Sequence, residues 1–250
     1  LKDGRTLVRT RYSSESQVLL NVRNNRNFRL PTDVESQFNA RITEAIEDVE
    51  VIIIVDDGYG TVTDEIVAHL GKLGATRGIP IIGKVACRPP IADILRLRGI
   101  SLLVCTERTA RMSLNDPDGG VADLGAVVLR DGQSRCVAIS LEEGGYIVLD
   151  SKGQSLDDLR SLNHSHELKQ RLAIEFLAAP LRSHRPQFSG ISVFTGITAL
   201  GMGTGIGMME AAYLGKCAAL AASHQMAGSV DELAKFVEML FINATPDPVP

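Results

Sequence analysis

Hydrophobic positions fall into short blocks separated by polar turns, and the spacing inside the blocks changes along the chain. Thr6 to Arg11 reads as a strand, and Gln17 to Val22 as a second one that returns across Ser13 to Ser16 as a hairpin. Pro31-Thr32-Asp33 opens a helix, with Thr32 and Glu35 spaced as a capping box. Phe38, Ile42, Ala45, Ile46 and Val49 lie along one face of it. Val51-Ile52-Ile53-Ile54-Val55 is a β-branched run without alternation, which predicts a strand covered on both faces, as in a parallel sheet. It ends in Asp56-Asp57-Gly58-Tyr59-Gly60.

The following blocks repeat the theme. A helix is expected from Thr63, with Ile66, Val67, Leu70 and Leu73 inward. Strands are expected at Ile79 to Ile82, Ile100 to Val104, Cys136 to Ser140 and Gly145 to Leu149, with a short helix at Ile91 to Leu97 and a turn at Asp150-Ser151-Lys152-Gly153. Strands alternating with helices at this spacing imply βαβ units and right-handed crossovers, hence the α/β class. The last third reads as mostly helical, with alanine-rich Met209 to Ala222 and a helix starting at Ser229 that carries Val230, Leu233, Phe236 and Val237 on one face. The proline-rich tail from Thr245 reads as loose.

Composition narrows the function classes. With 250 residues and 44% hydrophobic residues the chain can bury a full core, as one large domain or two small ones. A formal net charge of −4 gives no electrostatic case for nucleic acid. No apolar run approaches the ~18 residues of a membrane span, and no signal peptide is visible. Cys87, Cys105, Cys136 and Cys217 are widely spaced without a CxxC, which fits reduced core thiols in a cytoplasmic chain. The sequence starts at Leu1, so either it is a trimmed product or a longer chain lacks its first part here.

Several local motifs invite chemistry. The glycine run Gly201-Met202-Gly203-Thr204-Gly205-Ile206-Gly207 does not match GxGxxG, and no GxxxxGK[ST] occurs, so close helix packing is the expected reading. His164-Ser165-His166 has no third His or Cys nearby and is expected to be a solvated loop or helix start, so no metal site is expected. No G-x-S-x-G elbow is present. Asp56-Asp57 stands at the carboxyl end of a strand, where open α/β sheets bind ligands; a turn carboxylate ahead of Gly58 is an equal account.

Taken in order, these segments resemble the ribokinase (PfkB) family of carbohydrate kinases, and within it the kinase domain that makes heptose bisphosphate for ADP-heptose. Arg9-Thr10-Arg11 and Gln17-Val18-Leu19-Leu20-Asn21-Val22 resemble that group's "KTR" and "QQLLRV" strands. Asp56-Asp57-Gly58-Tyr59-Gly60 with Thr63 resembles "DYGKGVLT", Ile79-Pro80-Ile81-Ile82 resembles "IPVI", and Arg98-Gly99-Ile100-Ser101-Leu102-Leu103 resembles "RGATLL". Ser140-Leu141 with Gly145 is similar to "TLGEKG", and Ser189-Gly190 followed by Glu210-Ala211-Ala212 approximates "TGAGDT" and "EEAA". The resemblance implies a ribokinase-like three-layer α/β sandwich with a mostly parallel sheet, its N-terminal sugar-binding part missing. Residues 1–30 would be a lid-like strand pair beside the sugar or at a homodimer contact, an ordinary surface hairpin being the alternative. Residues 31–250 would be the core.

The departures concentrate where the family does its chemistry. The GAGD aspartate is the family's general base; matching Gly190 to the first glycine gives Gly190-Ile191-Ser192-Val193, so Val193, or Ser192 after a one-residue shift, stands at the base position. Neither can take a proton unaided near neutral pH. The family's anion hole of bare amides is crowded here by Ile191 and Ser192. Thr106 and Thr109 replace the Asn and Glu of "TPNxxE", which position phosphate and magnesium, with Glu107 a poorly placed substitute. "DPKG" has become Lys84-Val85-Ala86-Cys87, and Glu142 replaces a glycine beside the expected nucleotide. A general base contributes about 10²–10⁴ in rate and an anion-hole donor about 10²–10³. The expectation is therefore a degenerate sugar-kinase-like domain, structural, regulatory or ligand-sensing. The alternative is an active ATP-dependent kinase for a heptose or other sugar phosphate, with Asp56 or Asp57 in a supporting acidic role; ATP and magnesium are cofactors only in that case.

Overall fold

The computed structural model describes residues 8–14, 17–23, 30–86, 93–141, 145–162, 164–178 and 190–223, together with Asp231 and Lys235. The expected strand pair is present as β1 (Arg9–Ser14) and β2 (Gln17–Arg23), an antiparallel ribbon in which Tyr12 faces Leu20 and Thr10 faces Val22. Among the described residues it is a sheet of its own; Thr6 and Leu7, where the sequence pattern starts the first strand, lie outside them.

The main sheet has six strands in the order β3 (Ile52–Asp56), β4 (Ile81–Val85), β5 (Leu102–Thr106), β6 (Cys136–Ser140), β7 (Tyr146–Asp150) and β8 (Ala173–Leu177). β3 to β6 run parallel, and β7 and β8 are antiparallel additions. One layer of helices comprises α1 (Thr32–Ala45), α2 (Asp64–Arg77), α3 (Glu107–Leu114), α4 (Val121–Gly132), α5 (Leu156–Arg160) and α6 (Ser165–Arg171). α7 (Ile191–Gly203) and α8 (Met208–Ser223) cover the other face. This is the three-layer α/β sandwich expected from the segment order.

Each sheet face has its own apolar core. Ile54, Val85, Leu103, Cys105, Val137, Ile139 and Leu149 pack with α2 and α4. Ile82, Leu102, Val104, Ala138, Tyr146 and Val148 pack with Ile191, Phe194, Ala199 and Ala212 of α7 and α8. α7 and α8 touch closely because both are lined with small residues: a Cβ on Gly215 would sit 2.1 Å from Thr198 Oγ1 and 2.7 Å from the Phe194 carbonyl, and one on Gly201 would sit 3.0 Å from Ala211 Cβ. The glycine run at 201–207 is thus helix packing and a turn, with Gly205 at φ 83°, a conformation suited to glycine.

Four expectations change. β3 is an edge strand, and only Ile54 and Asp56 of it are buried; Ile53 and Val55 on the second face are 42% and 51% exposed, so the run is covered on one face alone. The capping box is not formed: Thr32 is already helical, Pro31 is the cap residue, and the Glu35 carboxylate instead accepts from the Thr63 hydroxyl at the start of α2. Phe38 and Ala45 are exposed, while Ile46 is buried. The short helix is a single 3-10 turn at Ile94–Arg96, residues 91 and 92 lying outside the described ones. Cys105, Cys136 and Cys217 are buried free thiols, and burial pushes the Cys105 thiol up to about 12. Cys87 lies outside the described residues, as does the helix expected from Ser229, apart from Asp231 and Lys235, which are helical. Among the described residues no helix is long and apolar enough to cross a membrane.

Candidate functional site

The carboxyl ends of β3 to β6 form one rim of the sheet, ending in Asp56, Val85, Thr106 and Ser140. β7 begins and β8 ends on the same rim, since Tyr146 pairs with both Ser140 and Leu177. α7 starts there too, because Lys84 Nζ donates to Ser192 Oγ at 2.9 Å. The residues singled out in the sequence are therefore brought to one edge from chain positions more than 130 residues apart.

The first turn of α7 shows what occupies that place. Gly190 is the cap residue, and a Cβ there would lie 2.9 Å from Ala219 Cβ, so its smallness serves contact with α8. Ile191 is buried and Phe194 is fully buried, its ring stacked on Tyr146 at 4.0 Å with planes 10° apart. Tyr146 hydrogen-bonds to Ser140, and burial pushes its hydroxyl up to about 12. Ser192 is exposed and held by Lys84; Val193 is half-buried against the core. No Asp or Glu occurs anywhere in α7. Ile191, Phe194 and Tyr146 belong to the apolar core between α7 and the sheet.

Asp56 is 3% exposed, accepts from the Gly58 amide at 2.7 Å and pairs with Arg96 Nη1 at 3.0 Å. Arg96 also donates to the Val62 carbonyl and reaches Asp64 at 3.4 Å, so it clasps the whole connection from β3 to α2. Asp57 is exposed on that connection.

At the end of β5, Thr106 caps α3, accepting from the Thr109 amide at 3.1 Å, and the two hydroxyls lie 2.9 Å apart. Thr109 is fully buried. Glu107 pairs with Arg111 at 2.7 Å, one turn along α3. Arg111 also donates to the carbonyls of Pro117 and Gly119 at 2.9 and 2.8 Å, pinning the turn between α3 and α4. Gly145 closes the β6–β7 connection through its carbonyl to the Leu141 amide, 2.9 Å, and a Cβ on it would lie 3.2 Å from the Leu177 carbonyl. Glu142 lies outside the described residues.

A cavity of about 900 Å³ opens on the α3 side of this rim, bounded by Arg108, Met112, Pro117, Leu141, Gly145 and Phe176. Phe176 is 62% exposed there. Among the described residues no group of three His, Cys, Asp or Glu side chains could hold a metal. His164 and His166 are exposed, His166 beside Gln170 at 3.0 Å.

Sequence reasoning passed over Lys84, Arg96 and Arg111 as contributors. A lysine breaking the apolar Ile81–Val85 strand was the available signal for the first. Arg96 sits on a 3-10 turn and Arg111 on α3, and only the folded chain shows that their partners include backbone carbonyls and, for Arg96, a buried carboxylate.

The architecture and the rim define a ribokinase-like α/β fold, the fold of the PfkB-type carbohydrate kinases. Among solved structures, the chain is similar to phosphofructokinase-2 from Escherichia coli in complex with potassium (TM-score 0.64, 16% identity, 89% of this chain and 67% of that one). It is also similar to a putative ribokinase from Agrobacterium tumefaciens (TM-score 0.58, 14% identity, 93% and 66%). Ribokinase from Arabidopsis thaliana complexed with ribose and ATP matches at TM-score 0.53 and 14% identity, over 79% and 57% of the two chains. The chain thus spans about two thirds or less of the length of these structures. No protein-family model matches the sequence, and no curated protein matches it.

Proposed function

We propose that this chain is a sugar-kinase-like domain that does not transfer phosphate and serves as a structural, regulatory or ligand-sensing unit. The first turn of α7 carries this reading: where the family resemblance expects a carboxylate over open amides, there is Val193, packed against the core, and Ser192 is engaged by Lys84. Valine cannot accept a proton, and a serine that already accepts from an ammonium is a poor base.

ATP and magnesium fit the rim only in part. Lys84 beside the α7 amides supplies positive charge that a phosphate would meet. The magnesium side is wanting: the Thr106 and Thr109 hydroxyls are turned on each other, and the described residues offer no carboxylate cluster. The heptose-kinase likeness of the strand motifs makes a heptose phosphate the first ligand to try. The ribbon β1–β2, with exposed Tyr12, Leu19 and Leu20, serves in this reading to pair two copies of the chain.

A coupled assay for ADP release with heptose phosphates and other sugar phosphates tests the proposal. No sugar-dependent turnover is expected. Turnover that disappears in Ser192→Ala or Asp57→Asn would overturn it and establish an active kinase with relocated groups. Calorimetry with ATP, with and without magnesium, separates ligand sensing from a purely structural role.

A further inference from the structure

The opposite rim of the sheet, where β4, β5 and β6 begin and β7 ends, holds a second cavity of about 380 Å³. Small-molecule sites run from roughly 300 to 1,000 Å³. One wall is apolar and comes from the end of α7 and the start of α8: Met202, Ile206 and Met208. Ile206 is 40% exposed, so an apolar ligand body gains by covering it. α2 bounds the cavity from the other face of the sheet with the bare backbone of Gly71 and Gly74. Gly74 is small for a packing reason, because a Cβ there would lie 2.7 Å from Ile81 Cδ1. Gly71 has no such reason: its φ is not positive, and a Cβ on it would meet nothing within 4 Å. Glycine inside a helix is unfavourable relative to alanine, and its use is to let the backbone approach a partner closely.

The polar end lies where β6 starts beside the end of β7. Asp150 stands directly opposite Cys136 in the register, and Arg135 precedes Cys136. Arg135 is exposed, and its guanidinium makes no hydrogen bond or ion pair with a described residue. Asp150 accepts from the Lys152 amide at 2.8 Å and from the Cys136 thiol, which leaves lone pairs of the carboxylate open. Burial first, then that carboxylate, push the Cys136 thiol up, so it stays a donor rather than a reactive thiolate. Ser101 lies next to Cys136, whose amide donates to the Ser101 carbonyl at 3.0 Å. The Ser101 hydroxyl accepts from the Ile81 amide at 3.1 Å and has its own proton to give.

A free guanidinium and a partly open carboxylate on adjoining positions of two paired strands suit a ligand head that carries both signs. A phosphate or a dicarboxylate would set a second negative charge against Asp150, and a simple amine would leave Arg135 unmatched. We propose that this cavity binds a free α-amino acid with an apolar side chain. Its carboxylate meets the Arg135 guanidinium and the Ser101 hydroxyl, its ammonium meets Asp150, and its side chain runs along Met202, Ile206 and Met208 toward Gly71. These residues are separate from those of the opposite rim, so phosphate transfer there, present or absent, has no bearing on them.

Calorimetry on the whole chain tests it with leucine, methionine and phenylalanine, each beside its analogue without the ammonium and its analogue without the carboxylate. At least one amino acid is expected to bind with a Kd of about 1 mM or tighter. Either analogue of that amino acid binds about tenfold more weakly or worse. Arg135→Gln, a surface change with no described side-chain partner to lose, weakens binding by a similar factor. Gly71→Leu puts a side chain into the cavity and abolishes binding, while its melting temperature stays at or above that of the wild type because leucine favours helix. If Gly71→Leu melts lower, Arg135→Gln alone decides. No saturable binding of any of the three amino acids overturns the proposal. Binding that Arg135→Gln leaves intact also overturns it, as does an ammonium-free analogue that binds as tightly as its amino acid.

Discussion

The 2.9 Å hydrogen bond from Lys84 Nζ to Ser192 Oγ joins the fourth residue of β4 to the first turn of α7 across 108 positions of sequence. It fixes where α7 begins relative to the sheet rim, and it engages the exposed Ser192 hydroxyl. Both partners are at least partly open to water, so its worth is modest. Lys84→Met and Ser192→Ala are each expected to lower stability by about 0.5–1 kcal/mol. The double variant should lose little more than either single one. Urea unfolding midpoints for the four proteins check this; strict additivity would show that the two groups do not interact in solution.

Asp56 and Arg96 form a different kind of pair, with the carboxylate buried and the guanidinium a quarter exposed. Removing one member of a buried pair costs about 3–5 kcal/mol, and the partial exposure of Arg96 places Asp56→Ala at or below the low end of that range. The expected result is a large drop in the unfolding midpoint, whichever ligand is present. An Asp56→Ala protein as stable as wild type but deficient in ligand binding would place Asp56 on the substrate side and show that the pair does not hold the connection.

The α7–α8 contact makes a prediction about a single methyl group. Gly215→Ala places a Cβ against the Phe194 carbonyl, which cannot move without shifting α7. The expected destabilisation is about 1–3 kcal/mol, the usual cost of overpacking. Gly71→Ala on α2, where nothing lies within 4 Å of the new atom, is the control and should be neutral or stabilising. Thermal melts of the two proteins should move in opposite directions or leave the control unchanged.

The pH response is expected to include Asp123. Its hydrogen bond to Lys169 is the main cause that holds its carboxyl below the usual range, with a bond to Ser165 second. A carboxyl lowered in the folded state contributes stability above its unfolded value, and that contribution is lost as the pH falls through the folded value. Asp123→Asn should therefore be less stable than wild type at neutral pH, by no more than about 1 kcal/mol for such a partly exposed pair. The difference should shrink below about pH 4 as the wild-type carboxyl protonates. A constant gap across the acid range would show that the ion pair is not its source.

The order of strands and helices was legible because βαβ units write their period into the sequence: Cys136 to Ser140 matches β6 to the residue, and Thr63 does cap α2. The limits of β4 and β5 fall two to three residues later than the apolar blocks suggest, since the pairing partner rather than the block sets where a ladder stops. α4 went unassigned although it supplies Leu124, Val128 and Leu129 to the core; its start at Gly120 has no side-chain cap to announce it. β3 misled in the other direction, for an uninterrupted run of Ile and Val looks the same whether its second face is covered or open. At the rim, residue identities mark Val193 and Ser192 at the expected base position, but the stacking of Phe194 on Tyr146 depends on a contact between residues 48 apart and has no local sign.

The reversal of chain direction at β7 has a further effect. It carries the β6–β7 connection and the end of β8 to the rim already occupied by the ends of β3 to β6, so the connections that follow five strands gather on one side of the sheet. Mutations there can erase or replace a ligand's contacts one loop at a time while leaving the ladder intact. The chemistry of the rim and the stability of the ladder are therefore set by largely separate residues.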